Sequence, residues 1–335
     1  MKKYRYIAII LLLVPLAVCA QNEPAKKVLT PINVYPPIKI NRSVTRHGPE
    51  KGSLLIAGGD EGNTKAIWRK FTELAGGKDK AVVVVVTTGA DKAASDMADV
   101  ENVKKQTGIT NVTLLHTADL KTANSKAFID PINQATAVLF VGDYSWKIAD
   151  SYLNTLTHKA FFDLLNRGGL IAANQETAGI IGSFLWRGDT HGQQITIGDH
   201  TQGLGFLKSS AIEHHVFVRN RPFDMIDLIK KSPKLIGIGI DTATAVVIQK
   251  DTLSVIGNSF IALYDYNNTI GNGPKHVVNN NEDFNNSDGP FFMLHDGQRY
   301  DLNARKVIPP PRRRAFRAGV PAATPTATGE PEDRQ

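Results

Sequence analysis

The sequence has almost no cysteine, since Cys19 is the single one among 335 residues. A framework of intramolecular disulfides is therefore excluded. Beyond residue 20 the chain also lacks any run close to the roughly 20 apolar residues that a membrane helix needs, so we expect no transmembrane segment there. The 42% hydrophobic and 21% charged content is typical of a globular protein with a sizeable core, which argues against disordered and fibrous classes.

Positive charge is scarce in the middle of the chain, although the formal net charge is +7. The excess of basic residues lies at the two ends: Lys2, Lys3 and Arg5 at the start, and five arginines against three acids from residue 308 onward. The body between them is close to neutral. We therefore expect no binding to nucleic acid or another polyanion.

The two ends of the chain predict segments outside the main domain. Residues 1–20 combine a basic start, an apolar run and the small-residue pattern Val-Cys-Ala, which is typical of a secretory signal peptide. We expect an exported protein, periplasmic or extracellular, with lipid attachment through Cys19 as the alternative. Residues 21–50 read as an extended lead-in, and 308–335 as a disordered tail rich in proline and arginine.

The body, residues 51–307, alternates short apolar runs with longer amphipathic ones. This pattern predicts strands of a mostly parallel sheet covered by helices, in a three-layer α/β/α domain. Among the predicted elements are strands over Ser53–Ala57, Ala81–Thr87 with its run of five valines and Val112–Leu115, and a helix over Thr64–Ala75 from the spacing of Ile67, Phe71 and Leu74. Ligands of such folds bind at the carboxyl ends of the strands. The loops after Ala57, Thr87, Val141 and Ala173 are therefore the predicted places for a functional site.

Six blocks of the body, in order, resemble the serine peptidases typified by cyanophycinase and dipeptidase E. They are Gly58-Gly59-Asp60, residues 71–77 (Phe-Thr-Glu-Leu-Ala-Gly-Gly), the strand-turn-helix stretch 168–186, residues 212–221 (Ile-Glu-His-His-Val-Phe-Val-Arg-Asn-Arg), residues 237–241 (Gly-Ile-Gly-Ile-Asp) with Thr244-Ala245, and Tyr300-Asp-Leu302. The resemblance implies a class I glutamine amidotransferase-like fold. It also implies acyl transfer by a serine on a sharp turn between a strand and a helix.

The nucleophile of that family is replaced in this sequence. The family's turn reads Gly-Thr-Ser-Ala-Gly-Ala, whereas residues 173–178 read Ala-Asn-Gln-Glu-Thr-Ala, which puts Gln175 at the serine position. A carboxamide cannot be activated as a nucleophile by a neighbouring base. An insertion of two residues would instead bring Thr177 to the position, so Thr177 is the alternative nucleophile.

The turn that should stabilise the oxyanion is also altered. The family carries Gly-Gly there, but this chain has Gly142-Asp143, and an aspartate would crowd and charge the place where negative charge develops. Together with Glu176, which follows the elbow, these are the predicted oxyanion or substrate-binding residues next to the turn.

The resemblance assigns the remaining roles. His215 stands at the general-base position, and a histidine held there by packing alone is the competing interpretation. Arg219 and Arg221 would suit a substrate of acidic or aspartyl character. Asp189 is the nearest candidate for the acid that orients the base, and otherwise a turn residue.

No cofactor and no metal are expected. His191, His200, His214 and His215, with Asp189 and Asp199, contain potential zinc ligands, but their spacing fits no metal motif. The side chains of adjacent residues also diverge on a regular strand, which argues against joint ligation by His214 and His215.

Three hypotheses for function follow. The first is a catalytically degenerate relative that binds a peptide or aspartyl-type ligand. The second is an active exopeptidase or cyanophycinase, cleaving aspartyl or β-Asp-Arg peptides, that uses Thr177 or an unidentified nucleophile. The third is a secreted structural protein that reuses the fold. A homodimer is a further possibility in each case.

Overall fold

The computed structural model describes residues 46–59, 65–90, 97–189, 196–267 and 291–310. The predicted signal peptide, nearly all of the lead-in, residues 60–64 and the tail from 311 lie outside these ranges, as does His191. The described residues all belong to one compact unit, Ile38–Gln335. Among them, no helix combines the length and apolar character required to cross a bilayer.

The body contains two β-sheets. The larger has nine strands in the order β14-β13-β10-β9-β1-β5-β4-β2-β3, and the smaller has five in the order β12-β11-β8-β7-β6. The strands are β1 (Ser53–Ala57), β2 (Val83–Gly89), β3 (Val112–Leu115), β4 (Ala137–Gly142), β5 (Leu170–Asn174), β6 (Gly182–Phe184), β7 (Leu207–His214), β8 (Ile236–Ile240), β9 (Thr244–Gln249), β10 (Thr252–Gly257), β11 (Phe260–Asp265), β12 (Phe292–His295), β13 (Arg299–Asp301) and β14 (Lys306–Ile308).

Helices cover the larger sheet. They are α1 (Lys65–Leu74), α2 (Ala98–Thr107), α3 (Leu120–Ala123), α4 (Lys126–Gln134), α5 (Ser145–Tyr152) and α6 (Leu156–Asn166), with a 3-10 helix over Gln175–Ile181. The remaining helix, α7 (Ile226–Lys231), packs against the smaller sheet. Helix α1 buries Ile67 and Phe71, the apolar spacing that predicted it.

The large sheet is buried on both faces, as the run of valines in β2 predicted, because every residue of that strand is buried. One face packs against α1 and α2. The other packs against helices α4 to α6, the 3-10 helix and the apolar side chains of the smaller sheet. The α/β class with a mostly parallel central sheet is therefore confirmed.

Two predictions need correction. The α/β/α sandwich gains a second sheet on one face, because β6, β7 and β8 run parallel and are extended by antiparallel β11 and β12. The predicted helix through Trp186 ends at Ile181: Gly182 is extended, starts β6 and pairs with Leu207. Trp186 is buried in the turn that follows.

The topology brings the predicted loops together. Strands β1, β5 and β4 lie side by side and parallel, so their carboxyl ends meet at one edge of the sheet. Gly58 follows β1, Gln175 follows β5, and Gly142 ends β4.

Candidate active site

A sharp bend leads from β5 into the 3-10 helix, and Gln175 lies at its apex. Gln175 has a φ of 53°, in the left-handed region that a side chain disfavours by about 1–2 kcal/mol. Such strained residues concentrate at functional turns. The strand-to-helix elbow expected from the resemblance is present, and a carboxamide side chain occupies it.

Thr177 lies inside the protein and caps the same bend. Its side chain is fully buried. Its hydroxyl lies 2.9 Å from the Phe140 carbonyl oxygen and 2.8 Å from the Asn174 carbonyl oxygen, and it can donate its proton to either. The Asn174 backbone N–H donates back to it at 3.3 Å. These bonds give Thr177 a role in holding the elbow against β4, and its burial argues against a role as nucleophile.

The turn after β4, where the resemblance predicts oxyanion stabilisation, has its amides already engaged. Gly142 has a φ of 120°, and a Cβ there would lie 2.3 Å from the Gly89 carbonyl carbon, so only glycine fits. The backbone N–H groups of Asp143 and Tyr144 both donate to the Gly89 carbonyl oxygen at 2.8 Å. Neither amide is therefore directed at a substrate oxygen in this conformation.

Glu176 places a carboxylate directly beside the elbow. Its Oε1 accepts a hydrogen bond from Arg219 Nη2 at 3.0 Å and lies 3.5 Å from His214 Nε2. Burial alone would raise the pKa of Glu176, but its contacts with His214, its own backbone N–H and Arg219 hold that pKa well below its usual range. The backbone N–H of Glu176, the first amide after the apex of the elbow, is therefore in contact with the carboxylate of the same residue.

His214 and His215 converge, contrary to the prediction that adjacent histidines diverge. His214 is the last residue of β7, and His215 has a φ of 51°, which takes it off the regular strand. Their ring centroids are 5.2 Å apart. The alternation of side chains along a strand does not extend through a left-handed residue, so the reason given against joint ligation was wrong.

His215 is tightly positioned. Its Nδ1 lies 2.8 Å from the Thr242 hydroxyl, and its ring packs against Gly59, where a Cβ would lie only 2.1 Å from Cε1. Burial, aided by His214 and Arg219, lowers its pKa to about 4. The imidazole is thus neutral near pH 7 but a weak base, which fits poorly with efficient proton abstraction.

Thr242 is a site residue that the sequence reasoning missed. The family's strand reads Gly-Ile-Gly-Ile-Asp-Glu-x-Thr-Ala, and Thr242 stands at its glutamate position. That departure was the available signal, because the hydroxyl of Thr242 is the contact that orients His215. A hydroxyl there provides no charge to stabilise a protonated imidazole.

Of the two predicted substrate-binding arginines, only Arg219 is accessible. Its side chain is 33% exposed, beside Glu176. Arg221 is buried, and its Nη1 bonds Glu213 Oε1 at 3.1 Å. Glu213 also accepts from Arg187 Nε at 2.6 Å and from the Trp186 indole. This buried network argues against a substrate contact for Arg221.

Asp189 pairs with His200. Its Oδ1 bonds His200 Nδ1, its Oδ2 accepts the His200 backbone N–H at 2.9 Å, and His200 Nε2 lies 3.1 Å from Asp150 Oδ1. The Trp146 ring packs against the His200 ring at a centroid distance of 5.5 Å, with the two planes tilted by 31°. Burial alone would lower the pKa of His200, but the two carboxylates raise it. The contacts of Asp189 therefore fit an anchor for this loop rather than the acid partner of His215.

One group of described residues has the composition of a metal site. Glu176, His214 and His215 each offer a ligand atom, and these atoms lie within 4.8 Å of one another. Two imidazoles and a carboxylate form a ligand set found in catalytic zinc sites.

Comparison with known proteins agrees with the fold and with the resemblance. The chain is 22% identical over 274 residues to the cyanophycinase of Synechococcus elongatus, covering 80% of this chain and 84% of the relative. It is 23% identical over 293 residues to the cyanophycinase of Trichormus variabilis, covering 85% and 97%. The crystal structure of a peptidase from an acI-B1 actinobacterium superposes with a TM-score of 0.55 at 18% identity, covering 76% of this chain and 98% of that one. No family model matches the chain.

Proposed function

We propose that this chain, which belongs with the cyanophycinase and peptidase E family, binds a peptide or aspartyl-type ligand at the elbow without cleaving it. The observation that carries the proposal is Gln175 at the left-handed apex of the bend, where the family presents its serine. The elbow is kept as a structure, and its nucleophilic group is replaced.

The surroundings of the elbow support the same proposal. Acyl transfer needs hydrogen-bond donors aimed at a developing oxyanion. Here the amides of Asp143 and Tyr144 are bonded to Gly89, and Glu176 brings a carboxylate to the amide after the elbow. The general base is also weakened, because Thr242 rather than an acid contacts His215.

Arg219 supports the acidic character of the ligand. It is the accessible cation of the site and already bonds one carboxylate, that of Glu176, at 3.0 Å. A carboxylate of a bound aspartyl group can take the same guanidinium donors. Burial of Thr177 argues against the alternative of an active threonine peptidase.

The test combines a chemical and a binding measurement on the purified chain. Incubation with β-Asp-Arg peptides should give no hydrolysis, and a fluorophosphonate probe should leave no covalent adduct in an intact-mass spectrum. A β-aspartyl peptide should raise the melting temperature, and Arg219→Gln should remove that shift. The matched control is Arg299→Gln, which replaces an exposed arginine of β13 and should keep the shift in melting temperature.

Two results would contradict this function in different ways. Hydrolysis that disappears in His215→Ala would make the protein an active peptidase. A melting temperature that no peptide or amino acid shifts would favour a structural protein that reuses the fold.

Export and assembly are further parts of the proposal. The signal-peptide pattern in residues 1–20 supports export to the periplasm or beyond. Intact mass of the protein from its native host should show a chain starting at Gln21, and a lipidated Cys19 would support the anchored alternative. Light scattering of the purified protein tests the homodimer.

A further inference from the structure

We infer that Glu176, His214 and His215 bind a zinc ion. The site takes its carboxylate from the residue after the elbow and its two imidazoles from the end of β7. This inference does not depend on the proposed peptide binding.

The three side chains converge because of two local features of the backbone. Gln175 and His215 both have left-handed φ values, of 53° and 51°. The first places Glu176 at the start of the 3-10 helix, and the second turns the His215 ring to within 5.2 Å of that of His214, centroid to centroid. The resulting ligand atoms lie within 4.8 Å of each other, so a modest contraction brings them to the roughly 3.3 Å spacing of ligands around zinc.

The His215 imidazole already has one of its two ring nitrogens, Nδ1, held by a hydrogen bond. Thr242 Oγ1 lies 2.8 Å from His215 Nδ1, which leaves Nε2 as the nitrogen available to a metal. Hydrogen bonding of the distal nitrogen is the usual way in which proteins orient a metal-binding histidine. The packing of the same ring against Gly59 restricts it further.

The positively charged side chain of Arg219 already contacts two of the three proposed zinc ligands. The guanidinium of Arg219 bonds Glu176 Oε1 through Nη2 at 3.0 Å and His214 Nε2 through Nη1 at 3.2 Å. The second bond requires His214 Nε2 to act as an acceptor, the form in which an imidazole also binds a metal. Arg219 is 33% exposed and can withdraw into solvent, so zinc and Arg219 compete for the same two atoms.

The donor set selects the ion. Two imidazoles and one carboxylate suit Zn²⁺, at about 2.0–2.2 Å per bond, and leave a fourth position open to water or a ligand. Mg²⁺ and Ca²⁺ prefer sites made entirely of oxygen.

The experiment is calorimetric titration of the chelator-treated protein with zinc chloride. We expect one ion per chain, with affinity reduced at least about 100-fold in His214→Ala and Glu176→Gln and about 10-fold in Thr242→Val. Arg219→Gln removes the competing cation and should tighten binding, whereas a purely structural arginine would give no change or a loss. The control is His200→Asn, which removes the other carboxylate-paired imidazole and should leave affinity unchanged.

The outcomes separate the zinc site from the proposed function. Absence of zinc binding, binding that survives Glu176→Gln and His214→Ala, loss of binding in His200→Asn, or weaker binding in Arg219→Gln each overturns the inference. Melting curves of the metal-free variants identify any that do not fold, and the Arg219→Gln gain of affinity cannot arise from misfolding. Peptide binding in the absence of zinc would leave the proposed function intact when the zinc site fails.

Discussion

Replacing Thr177 by valine separates a structural hydroxyl from a nucleophilic one. Valine keeps the shape of the side chain, so little cavity is created. The hydroxyl that is lost donates to the carbonyl oxygen of Asn174 or Phe140, at 2.8 or 2.9 Å, and accepts a hydrogen bond from the Asn174 N–H at 3.3 Å. The Thr177 side chain is fully buried. One ordinary hydrogen bond contributes about 1 kcal/mol, and each buried partner left without a bond costs about 1–3 kcal/mol. We expect the free energy of unfolding to fall by about 1–3 kcal/mol.

The assay is urea denaturation monitored by tryptophan fluorescence. The dependence of the unfolding free energy on urea concentration, the m-value, is compared with that of the wild type. Thr157→Val is the matched control, because Thr157 is equally buried and donates to the Ala123 carbonyl at 2.7 Å, on α6 away from the elbow. Both variants should lose similar stability, and neither should change ligand binding. A loss below about 0.5 kcal/mol for Thr177→Val, or turnover in wild type that vanishes in Thr177→Val while stability is unchanged, would refute the reasoning.

Two further predictions concern buried charge and pH. Glu213→Gln leaves the buried guanidinium groups of Arg187 and Arg221 without their shared carboxylate, so we expect a loss of about 3–5 kcal/mol in unfolding free energy by urea denaturation. Asp163→Asn, which breaks an exposed ion pair on α6, should cost no more than about 1 kcal/mol and is the control. The pKa of His200 is raised by its two carboxylates, so its contribution to stability is complete below the ordinary histidine pKa and is lost as pH rises through the raised value. Unfolding free energies measured from pH 5 to 9 should show this decline in wild type, and a decline that persists unchanged in His200→Asn would contradict it.

The core of the fold was predictable because its signals are local. The predicted strand Ser53–Ala57 and the predicted Val112–Leu115 coincide with β1 and β3. The second sheet was missed as a separate sheet because β6 is short and β7 carries several polar residues. β7 begins with Leu207-Lys-Ser-Ser and carries Glu213 and His214 on a buried strand, where partners that are distant in sequence satisfy them. Such long-range pairing leaves no periodic pattern in the sequence.

The candidate site was predictable as a location and only partly as a set of contacts. The elbow, the substituted Gln175 and the position of His215 all followed from motif order. The partners of Asp189 and Arg221 did not, since each is paired with a residue that no motif connects to it. The left-handed backbone of His215 also has no sequence signal here, because only a few per cent of residues other than glycine adopt a positive φ.

In the proposed function, the residues that depart from the family pattern around the elbow all affect the same step of acyl transfer. The negative charge of a tetrahedral intermediate needs donors, and removing one such donor from a working enzyme costs about 3–4 kcal/mol. In this chain the amides of Asp143 and Tyr144 already bond to Gly89, and the amide of Glu176 faces its own carboxylate. A serine restored at position 175 would therefore develop its oxyanion against a fixed negative charge. The Glu176 carboxylate that opposes an oxyanion also attracts a cation. The same residue therefore disfavours hydrolysis and supplies one ligand of the proposed zinc site.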